Sequence, residues 1–336
     1  MWRLAILPRM LQQTKLLVGD YLVRLGAESW LFQAVHRIRG RLRGFRIETS
    51  EDCIFIMKGS RVAILRRGEF MFVPFMLECY DLYFDTMEAE VSNGRMVLDF
   101  SKPGLHRYKE HGVAFYFPGI PEDEVMDAYT AEYSPRRGDV VWDAGAHAGA
   151  TSYFLAQLTG PEGKVFAFEP DELNYEFLLK NIELHHLSNV IPVKKALAAK
   201  SGHAPFCMHG TTGSRIGSYM PRAAPNQMKT APTVSIRDAC KELGGVPNYI
   251  KVDIEGAEVE AIEGSLDFIK EQQIHFVFES NHRANGELTY KALERQFRQI
   301  GYEVWSSNDF GQTFTWATRE ARGPNRSNPI NKHKAA

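Results

Sequence analysis

Three stretches of this chain each carry an apolar run into an acidic residue and then into a turn. They are Val140-Val141-Trp142-Asp143-Ala144-Gly145-Ala146-His147-Ala148-Gly149, Lys164-Val165-Phe166-Ala167-Phe168-Glu169-Pro170, and Tyr249-Ile250-Lys251-Val252-Asp253-Ile254-Glu255-Gly256-Ala257-Glu258. Short apolar runs bounded by turn signals read as buried strands. Glycine lets the backbone turn sharply and lets a ligand lie close against it. The first turn reads D-x-G-x-x-x-G, whereas dinucleotide sites read G-x-G-x-x-G. An acid inside the turn makes an anionic pyrophosphate a poor guest. A cofactor with a cationic amino group and a sulfonium suits it better, which points to S-adenosylmethionine. Glu169 follows Gly149 by roughly 20 residues, where such folds place the carboxylate that holds ribose hydroxyls. A carboxylate can accept both hydrogen bonds of a vicinal diol, and Pro170 ends the strand.

Asp253 closes the third run, and Glu279 closes a fourth, Ile274-His275-Phe276-Val277-Phe278, ahead of Ser280-Asn281-His282. Ligands of open α/β sheets bind outside the carboxyl ends of the strands, so Asp143, Glu169, Asp253 and Glu279 would share one edge. Methyl transfer from a sulfonium is an in-line displacement with a neutral leaving group. The protein must align the partners and take one proton from a hydroxyl acceptor. Asp253, Glu255, Glu279 and His282 are the candidate proton acceptors, with Asp253 organising the reacting end. Asp253, Glu279 and Asn281 also offer hard oxygen ligands for magnesium, the weaker of the two expectations. Glu258 is assigned only to favouring a helix N-terminus. Lys251 is left open between offsetting the acids and a solvated strand end.

The elements needed to position these residues follow from periodicity. Strands are expected at 140–143, 164–168, 190–194, 248–253, 274–279, 302–305 and 313–316, with helices near 149–158, 171–185, 255–270 and 287–300. Their alternation implies an α/β fold with a mainly parallel, doubly wound sheet. Residues 1–46 read as helical, with arginines interleaved among apolar positions. Their apolar faces are expected to bury against the same chain or a second copy, leaving a basic outer surface. Residues 47–121 read as β-rich, with turns at Lys58-Gly59-Ser60 and Asn93-Gly94, and a helix is expected over Glu122–Tyr133. The segment Gly202–Thr233, rich in small polar residues, reads as a lid over the acceptor pocket, and 319–336 as a disordered tail.

Composition narrows the class. With 336 residues, 44% hydrophobic and 24% charged, the chain has an ordinary globular balance. Its formal charge of -1 and the lack of a basic stripe interleaved with aromatics argue against nucleic acid. No apolar run reaches the ~18 residues of a membrane span, although peripheral contact through the arginine-bearing N-terminus stays open. The four scattered cysteines form no C-x-x-C pair, which fits a reducing, cytoplasmic setting.

From about Glu124 to Val304 the chain resembles the FkbM-type methyltransferases, which depend on S-adenosylmethionine. The resemblance rests on Asp143-Ala144-Gly145-Ala146-His147-Ala148-Gly149, Phe168-Glu169-Pro170, Asn174, Asn181-Ile182, Ala196-Leu197, Ile250 to Glu258, and Gly301-Tyr302. It implies a class I methyltransferase, Rossmann-like domain over 122–318 and methylation of a hydroxyl on a sugar or secondary metabolite. The implied cofactor residues are Asp143, Gly145, His147, Gly149, Glu169, Pro170, Asn174 and Ala196. His147 stands where the family usually has Asn. Two other classes share the sheet. A nicotinamide-dependent oxidoreductase would want a third glycine and no acid inside the turn, and a non-catalytic scaffold would need no cofactor.

Overall fold

The computed structural model describes residues 29–122, 126–207, 215–216, 228–284, 286–309 and 312–319, in two compact units divided at Asp123–Glu124. Residues 1–28 of the expected N-terminal helices, most of the tail and much of the Gly202–Thr233 segment lie outside the described residues.

In the first unit, helix α1 (Trp30–Leu42) leads into strands β1 (Arg46–Thr49), β2 (Cys53–Lys58) and β3 (Arg61–Arg66). A 3-10 turn over Arg67–Phe72 then opens helix α2 (Val73–Thr86), followed by β4 (Glu90–Ser92), β5 (Arg95–Asp99), β6 (Gly104–Arg107) and β7 (Ala114–Phe117). The main sheet runs β1-β2-β3-β5-β4, and β6 pairs with β7. Both expected turns are present. Lys58 pairs with Arg61 across Gly59-Ser60, and Ser92 pairs with Arg95 across Asn93-Gly94. Asn93 and Gly94 both have positive φ, as a two-residue primed turn requires.

Helix α2 interrupts the region read as β-rich. Pro74 lies in its first turn, where the missing N–H costs nothing. Met76, Leu77, Tyr80, Tyr83 and Phe84 then bury at helical spacing, and the Tyr80 hydroxyl donates to the Ile56 carbonyl at 3.2 Å. Of the arginines expected to form a basic outer face, Arg37 donates to the Ile47 carbonyl at 2.6 Å and to Thr49 Oγ1 at 3.1 Å, while the exposed Arg39 and Arg43 share Glu78.

The second unit begins with α3 (Met126–Thr130), shorter than the helix expected there. It continues with β8 (Val140–Ala144), α4 (Ala150–Thr159), β9 (Lys164–Phe168), α5 (Glu172–Leu184), β10 (Val190–Val193) and β11 (Ala196–Leu197). Strands β12 (Gly202–Cys207), β13 (Arg215–Ile216) and β14 (Met228–Val234) lead to α6 (Ile236–Glu242) and β15 (Tyr249–Val252). Then come α7 (Glu258–Glu263), α8 (Leu266–Ile269), β16 (His275–Glu279), β17 (Arg283–Ala284), β18 (Glu287–Leu288), α9 (Thr289–Gln299), β19 (Glu303–Ser307) and β20 (Phe314–Thr318).

The seven-stranded sheet has the order β10-β9-β8-β15-β16-β20-β19, parallel from β10 to β16, with β20 antiparallel to both neighbours. Chain order reverses at β8, which lies between β9 and β15, and that switch point is where open sheets bind ligands. The core beneath it includes Trp142, Ala144, Phe168, Ile250, Val252, Phe276 and Phe278.

Two expectations change in this unit. The helix read over 255–270 divides at Gly264-Ser265, because a Cβ on Gly264 would stand 2.1 Å from the Ala199 carbonyl oxygen. The flanks of the segment read as a lid are antiparallel strands, β12 and β14, paired from Gly202↔Thr233 to Cys207↔Met228. Ala231, Thr233 and Val234 bury in β14, so these small residues do build a packed element. Among the described residues no helix is long and apolar enough to cross a membrane, and no disulfide joins the four cysteines.

Candidate active site

The turn after β8 owes its shape to left-handed backbone at three positions: Gly145 (φ 83), His147 (φ 48) and Gly149 (φ 86). A Cβ on Gly145 would lie 1.8 Å from the Asp253 carbonyl oxygen, so only glycine lets the turn approach the end of β15. A Cβ on Gly149 would meet Leu178 Cδ1 at 2.5 Å. The N–H groups of Gly145 and Ala146 both donate to the Phe168 carbonyl, at 3.0 and 2.9 Å. Asn181 Nδ2 donates to the Ala148 carbonyl at 2.8 Å. The departure at His147 fits this geometry, because Asn and His are both enriched among non-glycine residues at positive φ.

Asp143, expected as a cofactor contact, is engaged by groups of the protein itself. It is fully buried beneath the turn. Ser152 Oγ donates to its Oδ2 at 2.6 Å, and Lys251 Nζ lies 3.1 Å from its Oδ1. The same ammonium donates to the Gly145 carbonyl at 2.8 Å. Lys251 is itself buried, which closes the solvated alternative. The pair braces the glycine turn from below, and the lysine charge balances the acid.

Glu169 lies just past β9 and is buried. Its Oε2 accepts from the His147 N–H and its Oε1 from the Asp171 N–H, each at 2.8 Å. Burial pushes its carboxyl up to about 8, against the downward pull of these two donors and of the Asn174 side chain. One acid thus ties the glycine turn to the start of α5, where Asp171 caps the helix by accepting from Leu173 and Asn174. The lone pairs left over on its two oxygens are what a ribose diol could use. Pro170 is buried beside Glu169, and Ala196 is buried on β11, opposite Thr233 of β14.

The opposite lip of the crevice follows β15. Asp253 is partly exposed, its N–H donates to the Ala144 carbonyl at 3.0 Å, and Tyr129 Oη donates to its Oδ2 at 3.5 Å. Burial raises its carboxyl to about 6, with Lys251 pulling down and Glu255 pushing up. Glu255 and Gly256 have positive φ (58 and 103). The loop is held from inside by Glu258, whose Oε1 accepts from the N–H groups of Ile254 and Gly256 at 3.2 and 3.0 Å.

His282 lies between two acids, with Nδ1 3.2 Å from Glu258 Oε1 and Nε2 3.4 Å from Glu255 Oε2. Burial favours its neutral form, but the two carboxylates outweigh burial and hold it well above its usual range. Glu258 is fully buried, which pushes its carboxyl up; the His282 charge and the backbone donors outweigh that and leave it lowered. The two carboxylates thus favour the protonated form of a ring that the sequence offered as a proton acceptor. Glu279 ends β16 as expected, but Asn281 Nδ2 donates to its Oε1 at 3.1 Å and to Gln312 at 2.9 Å. The amide thus ties Glu279 to Gln312 at this strand end.

The structure brings Gly145, His147, Gly149, Glu169 and Asn174 together on one lip, and Asp253, Glu255, Glu258 and His282 on the other. Tyr129 and Glu258 are additions. Nothing in a helix of unknown placement marks Tyr129, and Glu258 read only as an acid at a helix start.

A sheet of this order, with a glycine turn at its switch point and an acid closing the next strand, is that of the class I methyltransferases. Residues 143–304 match the methyltransferase FkbM domain. Over 151 residues it is 30% identical to the hexuronic acid methyltransferase AglP of Haloferax volcanii, a match covering 43% of this chain and 56% of the relative. The chain thus spans little more than half the length of that curated relative. Similar solved structures include methyltransferase FkbM from Methylobacillus flagellatus, at 18% identity, TM-score 0.40, 54% of this chain and 43% of that one. Another is M. jannaschii TYW2 in complex with AdoMet, at 18% identity, TM-score 0.40, 66% of this chain and 88% of that one.

Proposed function

We propose that this chain transfers a methyl group from S-adenosylmethionine to a hydroxyl of a sugar, with a uronic acid or a similar polyhydroxyl acid as acceptor. The observation that carries the reading is the partly exposed Asp253 carboxyl, set at the switch point with the Gly145 turn against its own backbone. The acceptor class is brought from the hexuronic acid methyltransferase relative.

S-adenosylmethionine supplies an electrophilic methyl on a sulfonium. Glu169, steadied by His147, Asp171 and Asn174, would accept hydrogen bonds from the ribose diol. The turn from Gly145 to Gly149 would bed the methionine end. Asp253 would take the acceptor's proton as the carbon–oxygen bond forms. Raised to about 6, it is still ionised at neutral pH and is a better base than an ordinary carboxylate. Tyr129 would steady Asp253 Oδ2, and His282 would lie between Glu255 and Glu258. Four scattered cysteines without a disulfide lead the same reading to a cytoplasmic reaction.

The test is transfer of labelled methyl to glucuronic- or galacturonic-acid glycosides by the purified chain and by Asp253→Asn. The wild type should form an alkali-stable methyl ether. The variant should fold and turn over about 10²-fold more slowly, the scale of lost general-base help. Near-normal turnover in the variant removes Asp253 from the reaction, and an alkali-labile product identifies an ester and overturns the hydroxyl assignment.

A further inference from the structure

Around Asp253 the charges do not balance. Asp253, Glu255 and Glu258 crowd one lip of the crevice, and His282 is the cation that contacts two of them. Lys251 is already committed to Asp143 and the Gly145 carbonyl. One ligand atom from each of Asp253, Glu258 and His282 falls within 4.8 Å of the other two.

Two details set this cluster apart from an ordinary salt bridge. Glu258 is fully buried, yet only Oε1 receives the backbone N–H groups; Oε2 has no hydrogen-bond partner. A buried carboxylate oxygen without a partner is costly, so a group that satisfies it is called for. Second, His282 Nδ1 lies 3.2 Å from Glu258 Oε1 without the alignment of a hydrogen bond. Two donors sharing one ion at bonds of about 2.1–2.2 Å and roughly right angles stand about 3 Å apart. The 3.2 Å spacing fits that geometry.

We propose that Asp253, Glu258 and His282 form a divalent-metal site at the reacting end of the crevice, the ion replacing the imidazole proton, which leaves to solvent, as the positive charge between the acids. A set of one imidazole and two carboxylates favours manganese or another first-row divalent ion over magnesium, which prefers oxygen and water alone. Three protein ligands leave positions open for an acceptor hydroxyl and a neighbouring oxygen. The ion would acidify that hydroxyl as a Lewis acid, and it would allow an acid-lined crevice to receive an anionic sugar. The second Asp253 oxygen stays available for the proton. This site deepens the proposed reaction and rests on it for its purpose, but its existence is measured separately.

The experiment uses the full chain, stripped with EDTA and titrated with MnCl2 while the electron paramagnetic resonance signal of free Mn2+ is followed. S-adenosylhomocysteine binding is measured in parallel. The expected result is one Mn2+ per chain, competed only weakly by Mg2+. Binding should weaken at least about 10-fold in Glu258→Gln and in His282→Gln, with S-adenosylhomocysteine affinity unchanged. Glu258→Gln keeps an oxygen for the Ile254 and Gly256 N–H groups, and His282→Gln keeps the Glu258 bonds to those groups, so one variant guards against misfolding of the other. No stoichiometric Mn2+ on the wild type, or equal binding in both variants, overturns the site. Mn2+ binding without methylation of any uronic acid leaves the site standing and overturns the proposed acceptor.

Discussion

Removing the Glu169 carboxylate should damage the protein twice. Glu169→Ala leaves the His147 and Asp171 N–H groups without their 2.8 Å acceptors in a buried site. Each orphaned donor costs about 1–3 kcal/mol, so about 2–6 kcal/mol is lost before any cofactor is present. For a domain of roughly 200 residues, 1 kcal/mol moves Tm by about 2–4 °C, which gives a fall of roughly 4–24 °C. The same change removes the proposed acceptor of the ribose diol, so affinity for S-adenosylhomocysteine should drop by at least about 10-fold, or 1.4 kcal/mol. Glu169→Gln, which keeps one acceptor oxygen, should fall between.

The pH dependence has a definite sign. A carboxyl raised to about 8 stabilises the fold fully below its unfolded value near 4.5 and loses that contribution as pH rises through 8. The Tm gap between wild type and Glu169→Ala should therefore be widest in acid and narrow toward pH 9. Scanning calorimetry and isothermal titration from pH 5 to 9 measure both effects. A variant with wild-type Tm and wild-type affinity would refute the account of this acid.

Other perturbations test the brace around the turn and the fold of the first unit. Gly145→Ala sets a Cβ 1.8 Å from the Asp253 carbonyl at φ 83; a positive-φ alanine alone costs about 1–3 kcal/mol, so both stability and cofactor affinity should fall, and wild-type calorimetry would contradict the close approach. Lys251→Met strands Asp143 in the core and should cost about 3–5 kcal/mol in urea unfolding at pH 7; a loss under 1 kcal/mol would mean that Asp143 is solvated. Burial depresses His106 to about 4. Its stabilising contribution is present above about 6.5 and is lost as pH falls through 4, about 3 kcal/mol in all. His106→Phe should flatten the acid limb of the unfolding curve, and an unchanged limb would refute the assignment.

The strand-end acids were legible because each follows an apolar run and precedes a turn, a pattern that fixes position along a strand before any pairing is known. Glu169 and Asp253 fell at the ends of β9 and β15, the two strands that flank β8, for that reason. Partners across the fold were not legible. Asp143 looks from the sequence like a ligand, and only the pairing of β8 with β15 brings Lys251 beneath it. An acid at the start of a helix has one sequence signature whether it is solvated or buried, so Glu258 read as a dipole residue. His282 read as a base because the two carboxylates that hold its proton come from another loop. Helix α2 was hidden in an apolar run where Pro74 looked like a strand breaker, although proline in the first turn is equally a helix start.

The central claim is that the crevice at the carboxyl ends of β8, β9 and β15 is an S-adenosylmethionine site. Isothermal titration of the full chain with S-adenosylhomocysteine and, separately, with NADH tests it most directly. The account predicts one S-adenosylhomocysteine per chain, weakened by Glu169→Ala, and no heat from NADH. Saturable NADH binding with no response to S-adenosylhomocysteine would contradict it.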